Sequence, residues 1–357
     1  MSIHKSAITF LVVLLSTSIG GLAVGNYSVT KKVVEGHTTY HLLDSGRQMD
    51  FGLVPDMGNF GYEFKVKGQD VLIPLESFKT YLEKRSFCCG IPFLSPWANR
   101  LSDDYYFFQN KKYLLNDSLD NFRRDQFKQP IHGLLAFDSR WEVVKSGASN
   151  SEGAFITSRL DFYKYPDLMA QFPFAYTVEI TYRLKDGNLE NSTTVKNISN
   201  ADMPVMMAYH PYFHPGGDRE KWEVSIGTQT YWLPSPQLIS TGETEPIDKF
   251  LPGAAHFTLG RNVLDSVFST FDRSADGLGR TWVKSDSRKI EVEFSKEFDF
   301  AVVYAPLTNA TPFICFEPQT GPTNSFNLNH EGKFQGLVSL GPGKTFTARF
   351  WIVPTGF

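Results

Sequence analysis

The chain has 357 residues, and its 35 Lys and Arg residues nearly balance its 38 Asp and Glu residues, giving a formal net charge of −3. This balance excludes a basic nucleic-acid-binding protein, which needs a clear surplus of cationic side chains. Hydrophobic residues make up 41% and charged residues 20% of the chain. These values are typical of a folded globular protein and exclude a disordered one.

The N-terminal residues have the pattern of an export signal. Lys5 precedes an apolar run over residues 7–15, and the small residues Ala23 and Gly25 suit cleavage before Asn26. The run is shorter than the about 20 apolar residues of a membrane-spanning helix, although an uncleaved anchor is an alternative. We therefore predict a signal peptide over residues 1–25. The mature protein would be secreted or periplasmic, with no stable membrane partner after cleavage.

Strand patterns dominate the rest of the chain. Aromatic residues reach 15%, and aromatic rings pack well on pleated surfaces. Apolar and polar residues alternate over 176–184, which predicts a half-buried strand that returns over 189–195 after a turn at 186–188. Residues 62–66 and 71–73 predict a hairpin. Further strand candidates are residues 203–209, 290–294, 301–304, 313–316 and 346–353. Only residues 78–85 favour a short helix.

Many short strands joined by loops predict an all-β fold, either an antiparallel sandwich or a barrel. No linker or shift in composition divides the chain, so we predict a single domain over residues 26–357. Three cysteines, Cys88, Cys89 and Cys315, are too few for a disulfide framework. A large hydrophobic core must therefore stabilise the fold.

Ionisable or polar residues stand in aromatic, Pro-marked or Gly-marked surroundings at five places. Each has an ordinary structural explanation when taken alone, such as a turn residue, a cap or a solvated ion pair. In chain order, these segments contain Asn99 and Arg100, then His132, His210, Asp265 and Glu317.

Together, these segments make the chain resemble the aldose 1-epimerase (galactose mutarotase) family over about residues 53–354. The resemblance is carried by Asn99-Arg100, His132-Gly133, His210-Pro211-Tyr212-Phe213, Thr241-Gly242-Glu243, Leu264-Asp265 and Glu317-Pro318-Gln319. It implies a large antiparallel β-sandwich of the galactose mutarotase-like supersandwich type, with few short helices. The sugar would bind on the concave face of one sheet.

The resemblance also implies an isomerase that interconverts the α and β anomers of free aldohexoses of the glucose or galactose type. Glu317 matches the family's base and His210 its acid. The positions that hold the sugar are matched by Asn99, Arg100, His132 and Asp265. A nearby carboxylate would help keep His210 protonated, and we expect the pair to face each other across about one sugar ring. The reaction needs a monosaccharide partner but no metal, cofactor or nucleic acid.

Several alternatives stay open from the sequence. A sugar-phosphate 1-epimerase would need a cationic cluster for the phosphate, and Arg123, Arg124 and Lys128 precede His132. A non-catalytic carbohydrate-binding protein would not need both His210 and Glu317.

A glycoside-cleaving enzyme would need two carboxylates, for which Glu317 and Asp265 are candidates. A metal site at His210 and His214 is disfavoured, because Pro215 and the following glycines indicate that the strand has ended. The preferred sugar and the oligomeric state are not determined by the sequence.

Overall fold

The computed structural model describes residues 19–85, 87–307 and 311–357, with side chains from residue 25 onward. The predicted signal peptide falls mostly on residues 1–18, which lie outside the described residues. Residues Ile19–Val24 form the first strand, and cleavage before Asn26 stays a prediction. Among the described residues, no helix has both the length and the apolar character needed to cross a bilayer.

Three large sheets build the fold, and all of their strand pairs are antiparallel. Strands are numbered in chain order. The first sheet consists of six consecutive strands: β1 (Ile19–Val24), β2 (Tyr27–Val34), β3 (His37–Asp44), β4 (Met49–Val54), β5 (Phe60–Val66) and β6 (Gln69–Asp70).

The second sheet has nine strands. In spatial order they are β12 (Glu142–Ser149), β13 (Gly153–Leu160), β14 (Tyr176–Lys185), β15 (Asn188–Asn197), β29 (Thr345–Thr355), β25 (Arg288–Phe294), β24 (Gly279–Ser285), β19 (Glu223–Ser225) and β22 (Phe257–Thr258).

The third sheet has eight strands. Its spatial order is β21 (Ser240–Pro246), β20 (Thr228–Pro234), β23 (Leu264–Phe271), β26 (Phe300–Ala305), β27 (Ile314–Gln319), β17 (Ala208–Tyr209) and β7 (Phe93–Leu94), and β18 (Tyr212–Phe213) also pairs with β27.

Short elements complete the described chain. Three two-stranded sheets pair β8 (Tyr105–Phe108) with β9 (Lys111–Leu114), β10 (Arg123–Arg124) with β11 (Pro130–Ile131), and β16 (Met203–Val205) with β28 (Val338–Leu340). The α-helices are α1 (Phe78–Lys84), α2 (Pro166–Gln171), α3 (Ile247–Phe250) and α4 (Ser325–His330). The 3-10 helices are Pro55–Met57, Asp117–Leu119, Phe162–Lys164 and Arg219–Lys221.

The sheets stack through aromatic side chains that share one large core. The ring of Phe51 on β4 lies 4.8 Å from that of Tyr182 on β14, joining the six- and nine-stranded sheets. The ring of Tyr209 on β17 lies 4.8 Å from that of Phe350 on β29, joining the eight- and nine-stranded sheets. All four side chains are buried. This packing confirms the predicted all-β antiparallel sandwich with few short helices.

The alternating pattern correctly predicted strands β14 and β15, but two other predicted strands differ from those in the structure. Residues 203–209 form two short strands, because the chain leaves β28 after Val205 and joins β27 and β7 at Ala208. Between them, the Met207 N–H donates to Thr320 Oγ1 at 3.0 Å. Residues 71–73 follow β6 without forming a strand. An isolated antiparallel bridge joins Leu72 to Phe213, and the Ile73 N–H donates to the Tyr212 carbonyl at 2.9 Å.

Candidate active site

Strand pairing brings Glu317 and His210 together. Glu317 lies on β27 opposite Val302 of β26. His210 follows β17, which also pairs with β27, and its N–H donates to the Pro92 carbonyl at 3.1 Å. Consequently, His210 Nε2 lies 3.2 Å from Glu317 Oε1. The expected separation of about one sugar ring is therefore wrong, because both side chains project from neighbouring segments of one sheet.

A network of polar side chains fixes Arg100 beside this pair. Its Nε donates to Asp125 Oδ2 at 2.7 Å, and its Nη1 donates to Asn99 Oδ1 at 2.9 Å. Its Nη2 lies 3.8 Å from Asp265 Oδ2, which is too far for a hydrogen bond but close enough for electrostatic attraction. The other oxygen of Asp125 accepts the N–H groups of Phe127 and Gln129, both at 2.9 Å. Sequence reasoning missed Asp125, which belongs to none of the quoted motifs.

Two of the predicted sugar-holding residues have strained backbones. Asn99 has φ 52° and His132 has φ 64°, in the left-handed region that side-chain-bearing residues seldom adopt. The His132 N–H donates to the Asn99 carbonyl at 2.9 Å, which ties the two loops together. Gly133 follows with φ 69°, and a Cβ atom there would lie 2.2 Å from the Ser95 carbonyl oxygen. Only glycine therefore fits this close approach.

All six predicted site residues line one cavity of about 260 Å³: Asn99, Arg100, His132, His210, Asp265 and Glu317. Glu317 and His210 form part of its deeply buried lining, with exposed fractions of 1% and 6%. Binding pockets for small molecules commonly occupy about 300–1,000 Å³, so the space suits a small ligand. The structure brings the predicted residues together, and their individual roles stay predictions.

Aromatic side chains surround the imidazole of His210. Tyr212 stacks on it with ring centroids 4.6 Å apart, and Tyr304 meets it edge-on at 6.1 Å. Phe87 contacts the His132 ring edge-on at 4.9 Å. Tyr212 belongs to the His210 motif and Tyr304 lies opposite Asp265 in the sheet register, whereas no sequence signal marked Phe87.

Burial determines where protons reside in this site. Burial lowers the pKa of His210 to about 3, and the charges of Arg123 and Arg100 add to this effect. Burial also raises the pKa of Glu317 well above its usual value; the charge of Asp265 reinforces the shift and that of Arg100 opposes it. The expectation that Glu317 keeps His210 protonated is wrong for the free site, because the loss of hydration outweighs the attraction.

Three buried atoms in the site have no hydrogen-bond partner among the described residues: His210 Nδ1, Glu317 Oε2 and His132 Nδ1. Burial also lowers the pKa of His132 well below its usual value, and the positive charges around it add to the effect. Buried polar atoms in native proteins are normally paired. The arrangement is therefore suited to a ligand with several hydroxyl groups, which both donate and accept hydrogen bonds.

Other residues from the sequence motifs lie outside this cavity. A ring nitrogen of His214, Nδ1, lies 2.8 Å from the Pro312 carbonyl oxygen, a hydrogen bond to the backbone. Thr241 lies on β21 and donates its hydroxyl to the Leu233 carbonyl at 3.0 Å. Neither is among the residues that line the cavity.

Comparisons with known proteins identify a family, a relative in sequence and solved structures of the same fold. The profile of the aldose 1-epimerase family matches residues 61–352. Uncharacterized protein YihR of Escherichia coli strain K12 is 22% identical over 242 residues, which cover 66% of this chain and 70% of that protein.

Two solved structures share the fold. One is a galactose mutarotase-like protein from Clostridium acetobutylicum, with a TM-score of 0.80 and 21% identity, over 93% of this chain and 99% of that one. The other is galactose 1-epimerase from Lactobacillus acidophilus, with a TM-score of 0.71 and 16% identity, over 97% of this chain and all of that one.

The Arg100–Asp125 pair gives a first test of the site's construction. Asp125→Asn removes the carboxylate that is hydrogen-bonded to the buried Arg100 guanidinium and leaves Asp265 at 3.8 Å as its remaining ion-pair partner. We expect the free energy of unfolding to fall by about 3–5 kcal/mol. Asp117→Asn is the matched control, because Asp117 is paired with Arg124 but is 73% exposed. The control should lose at most about 1 kcal/mol. Urea unfolding measures both, and equal losses would contradict a buried, obligatory pair.

The protonation of the pair predicts how stability depends on pH. Because the pKa of Glu317 is raised from 4.5, the stability of the protein falls as pH rises above that value toward the folded-state pKa. Glu317→Gln removes this loss. The free energy of unfolding of the variant, relative to that of the parent, should therefore increase with rising pH by at most about 1.4 kcal/mol per pH unit.

His210→Asn should behave in the opposite sense. The pKa of His210 is lowered from 6.5 to about 3, so its contribution to stability is lost as pH falls between these values. The free energy of unfolding of the Asn variant, relative to that of the parent, should therefore increase as pH falls. Urea unfolding from about pH 4 to about pH 8 measures both trends. Parallel curves for the parent and both variants would refute the assigned proton positions.

Proposed function

Because the chain belongs to the aldose 1-epimerase family, we propose that it interconverts the α and β anomers of aldohexoses by acid–base catalysis. Glu317 is the proposed base and His210 the proposed acid. The observation that carries the proposal is the 3.2 Å contact between these two groups in the lining of a polar cavity. Asn99, Arg100, His132 and Asp265 are the proposed holders of the sugar hydroxyls.

The reaction requires two coupled proton transfers. In the ring-opening step, the Glu317 carboxylate takes the proton of the C1 hydroxyl group. The His210 imidazolium gives a proton to the ring oxygen as the bond from C1 to that oxygen breaks. The products of this step are an open-chain aldehyde, a protonated Glu317 and a neutral His210.

Reclosure reverses these roles after rotation about the bond between C1 and C2. The hydroxyl group on C5 attacks the opposite face of the aldehyde and returns its proton to His210. The carbonyl oxygen takes its proton back from Glu317. Both side chains regain their starting charges, and no net proton is gained or lost over the cycle.

The close contact suits this chemistry. The two reacting oxygens of a cyclic sugar are bonded to the same carbon, so neighbouring acid and base groups can reach both. A carboxylate with an imidazolium and a carboxylic acid with an imidazole carry the same number of protons. Burial favours the second, uncharged form, which is the form the pair has beside the open-chain sugar. In the proposed cycle a proton therefore passes from Glu317 to His210 before ring opening, and ring opening returns the pair to its favoured uncharged form.

The remaining polar groups are available to orient the sugar. The Nε and Nη1 groups of Arg100 already donate hydrogen bonds to Asp125 and Asn99. Its Nη2 group, at 3.8 Å from Asp265, is therefore left free for a substrate oxygen. Burial raises the pKa of Asp265, and the charge of Arg100 opposes this shift. Charged donors and acceptors of this kind make the stronger hydrogen bonds to hydroxyl groups.

Polarimetry tests the proposed reaction. The protein should speed the approach of fresh α-D-glucose or α-D-galactose to anomeric equilibrium. Glu317→Gln and His210→Asn should each lose roughly 10²–10⁴-fold of the rate, because each removes one proton-transferring group. His214→Asn is the matched control, since His214 lies outside the cavity, and it should retain the parent rate.

Three outcomes would each contradict a different part of this proposal. An unchanged anomerisation rate with folded parent protein would reject the enzyme and favour a carbohydrate-binding protein. Full activity in both the Gln and the Asn variant would keep the reaction but reject the two assigned residues. Release of chromogenic aglycones from glycosides would instead favour hydrolysis by Glu317 and Asp265.

We also propose a secreted or periplasmic location for the mature protein. The support is the charged start at Lys5, the apolar run over residues 7–15 and the small residues before Asn26. N-terminal sequencing of the protein from its native compartment should begin at or near Asn26. Recovery of the chain from the cytoplasm with residues 1–25 intact would overturn this proposal.

A further inference from the structure

A second cavity of about 340 Å³ adjoins the candidate active site. The two cavities share four lining residues: Phe87, Arg123, Ile131 and His132. A substituent on a sugar bound at Glu317 and His210 could therefore extend past Phe87 into the second space. The chemistry of that space depends on its charged side chains.

Two arginines of the second cavity have no carboxylate partner among the described residues. Arg123 lies over the Phe87 ring, with its guanidinium carbon 4.6 Å from the ring centroid. The guanidinium makes no hydrogen bond within the described part of the chain. Among the described residues, the Arg85 guanidinium donates to the Asp120 carbonyl alone, at 3.1 Å. The residues not described, which include Ser86 and residues 308–310, contain no Asp or Glu. The carboxylates of the described residues thus leave both cations without an ion pair.

Neighbouring arginines are paired in the usual way. Arg140 lines the same cavity and binds the carboxylates of both Asp138 and Asp167. Arg124, next to Arg123 in sequence, binds Asp104 and Asp117 at 2.7 and 2.9 Å. Of these four arginines, Arg85 and Arg123 are the two without a carboxylate partner among the described residues, a state they share with Arg219 and Arg288 outside both cavities. Burial lowers the pKa of Arg123, and the nearby charge of Arg85 adds to this effect.

We propose that Arg123 and Arg85 bind an anionic group, a carboxylate or a phosphate, carried by the aldose substrate away from its C1 end. This inference rests on the proposed function and specifies the substrate class of the same site. A guanidinium presents a planar fork of donors that matches both anions. Arg123 lines both cavities, whereas Arg85 lines only the second. The anionic group would therefore contact Arg123 directly and lie on the side of it that faces Arg85.

The stacking of Arg123 on Phe87 supports this role. An aromatic face holds the guanidinium plane in place without satisfying any of its N–H donors. The donors therefore remain available to a ligand. The same ring of Phe87 contacts His132 at the boundary of the sugar cavity, so the anion site and the sugar site share one wall.

The test compares charged and neutral sugars of the same configuration. The kcat/KM for anomerisation is measured for galacturonate against galactose and for glucose 6-phosphate against glucose. The parent protein should favour the anion in at least one pair, through KM, and the preference should weaken as salt is added. The pair with the larger preference identifies the anion as carboxylate or phosphate.

Variants localise the effect. Arg123→Gln should reduce the preference for the anion by about tenfold to a hundredfold, the range expected for hydrogen bonds to a charged group. Arg85→Gln should reduce it less, and Arg123→Lys should restore part of it. Arg159→Gln is the matched control, because Arg159 is paired with Asp161 and lies outside both cavities. The control should keep the parent ratio.

Binding of methyl glycosides, which cannot anomerise, separates this inference from the proposed reaction. Calorimetry should show the methyl glycoside of galacturonic acid binding more tightly than that of galactose, and Arg123→Gln should abolish the difference. Anomerisation of neutral sugars without any preference for either anion would overturn the anion site and leave the proposed reaction intact. Arginine-dependent binding of the acid without anomerisation of any sugar would reject the reaction and retain the anion site.

Discussion

The contact between His210 Nε2 and Glu317 Oε1 is the interaction around which the site is built. Burial lowers the pKa of His210 to about 3 and raises the pKa of Glu317 above its usual value, so the loss of hydration favours a proton on the carboxyl group over one on the imidazole. That arrangement leaves a neutral imidazole and a carboxylic acid facing a polar cavity. The same two groups become an ion pair when the proton crosses to the imidazole, which requires no exchange with solvent.

The surrounding structure keeps this pair in place at some expense of stability. Strand β27 positions Glu317, its neighbour β17 leads into His210, and the strained loops at Asn99 and His132 form the wall. Asp125 balances the charge of Arg100 and thereby fixes its orientation. Unpartnered buried atoms and left-handed backbones are unfavourable for folding. The unpartnered atoms of His210, Glu317 and His132 meet at one cavity, where a ligand can pair with them.

Sequence patterns predicted the strands where one side of the chain faces a core. The alternation over 176–184 corresponds to β14 because side chains of a strand point alternately to its two faces. The pattern over 203–209 was read as a single strand, but the chain there changes sheets, and alternation carries no information about partners. The motifs around His210 and Glu317 likewise indicated a shared site, since the family resemblance spans both.

The sequence by itself determined the β-rich class, the family and the residue types available for acid–base chemistry. Tertiary structure decided the distance between His210 and Glu317, the direction of their pKa shifts and the part played by Asp125. It also decided that Arg123 remains unpaired while its neighbour Arg124 is neutralised. These properties depend on burial and on contacts between segments far apart in the chain. Neither can be obtained from local composition or spacing, because both arise only when the sheets pack.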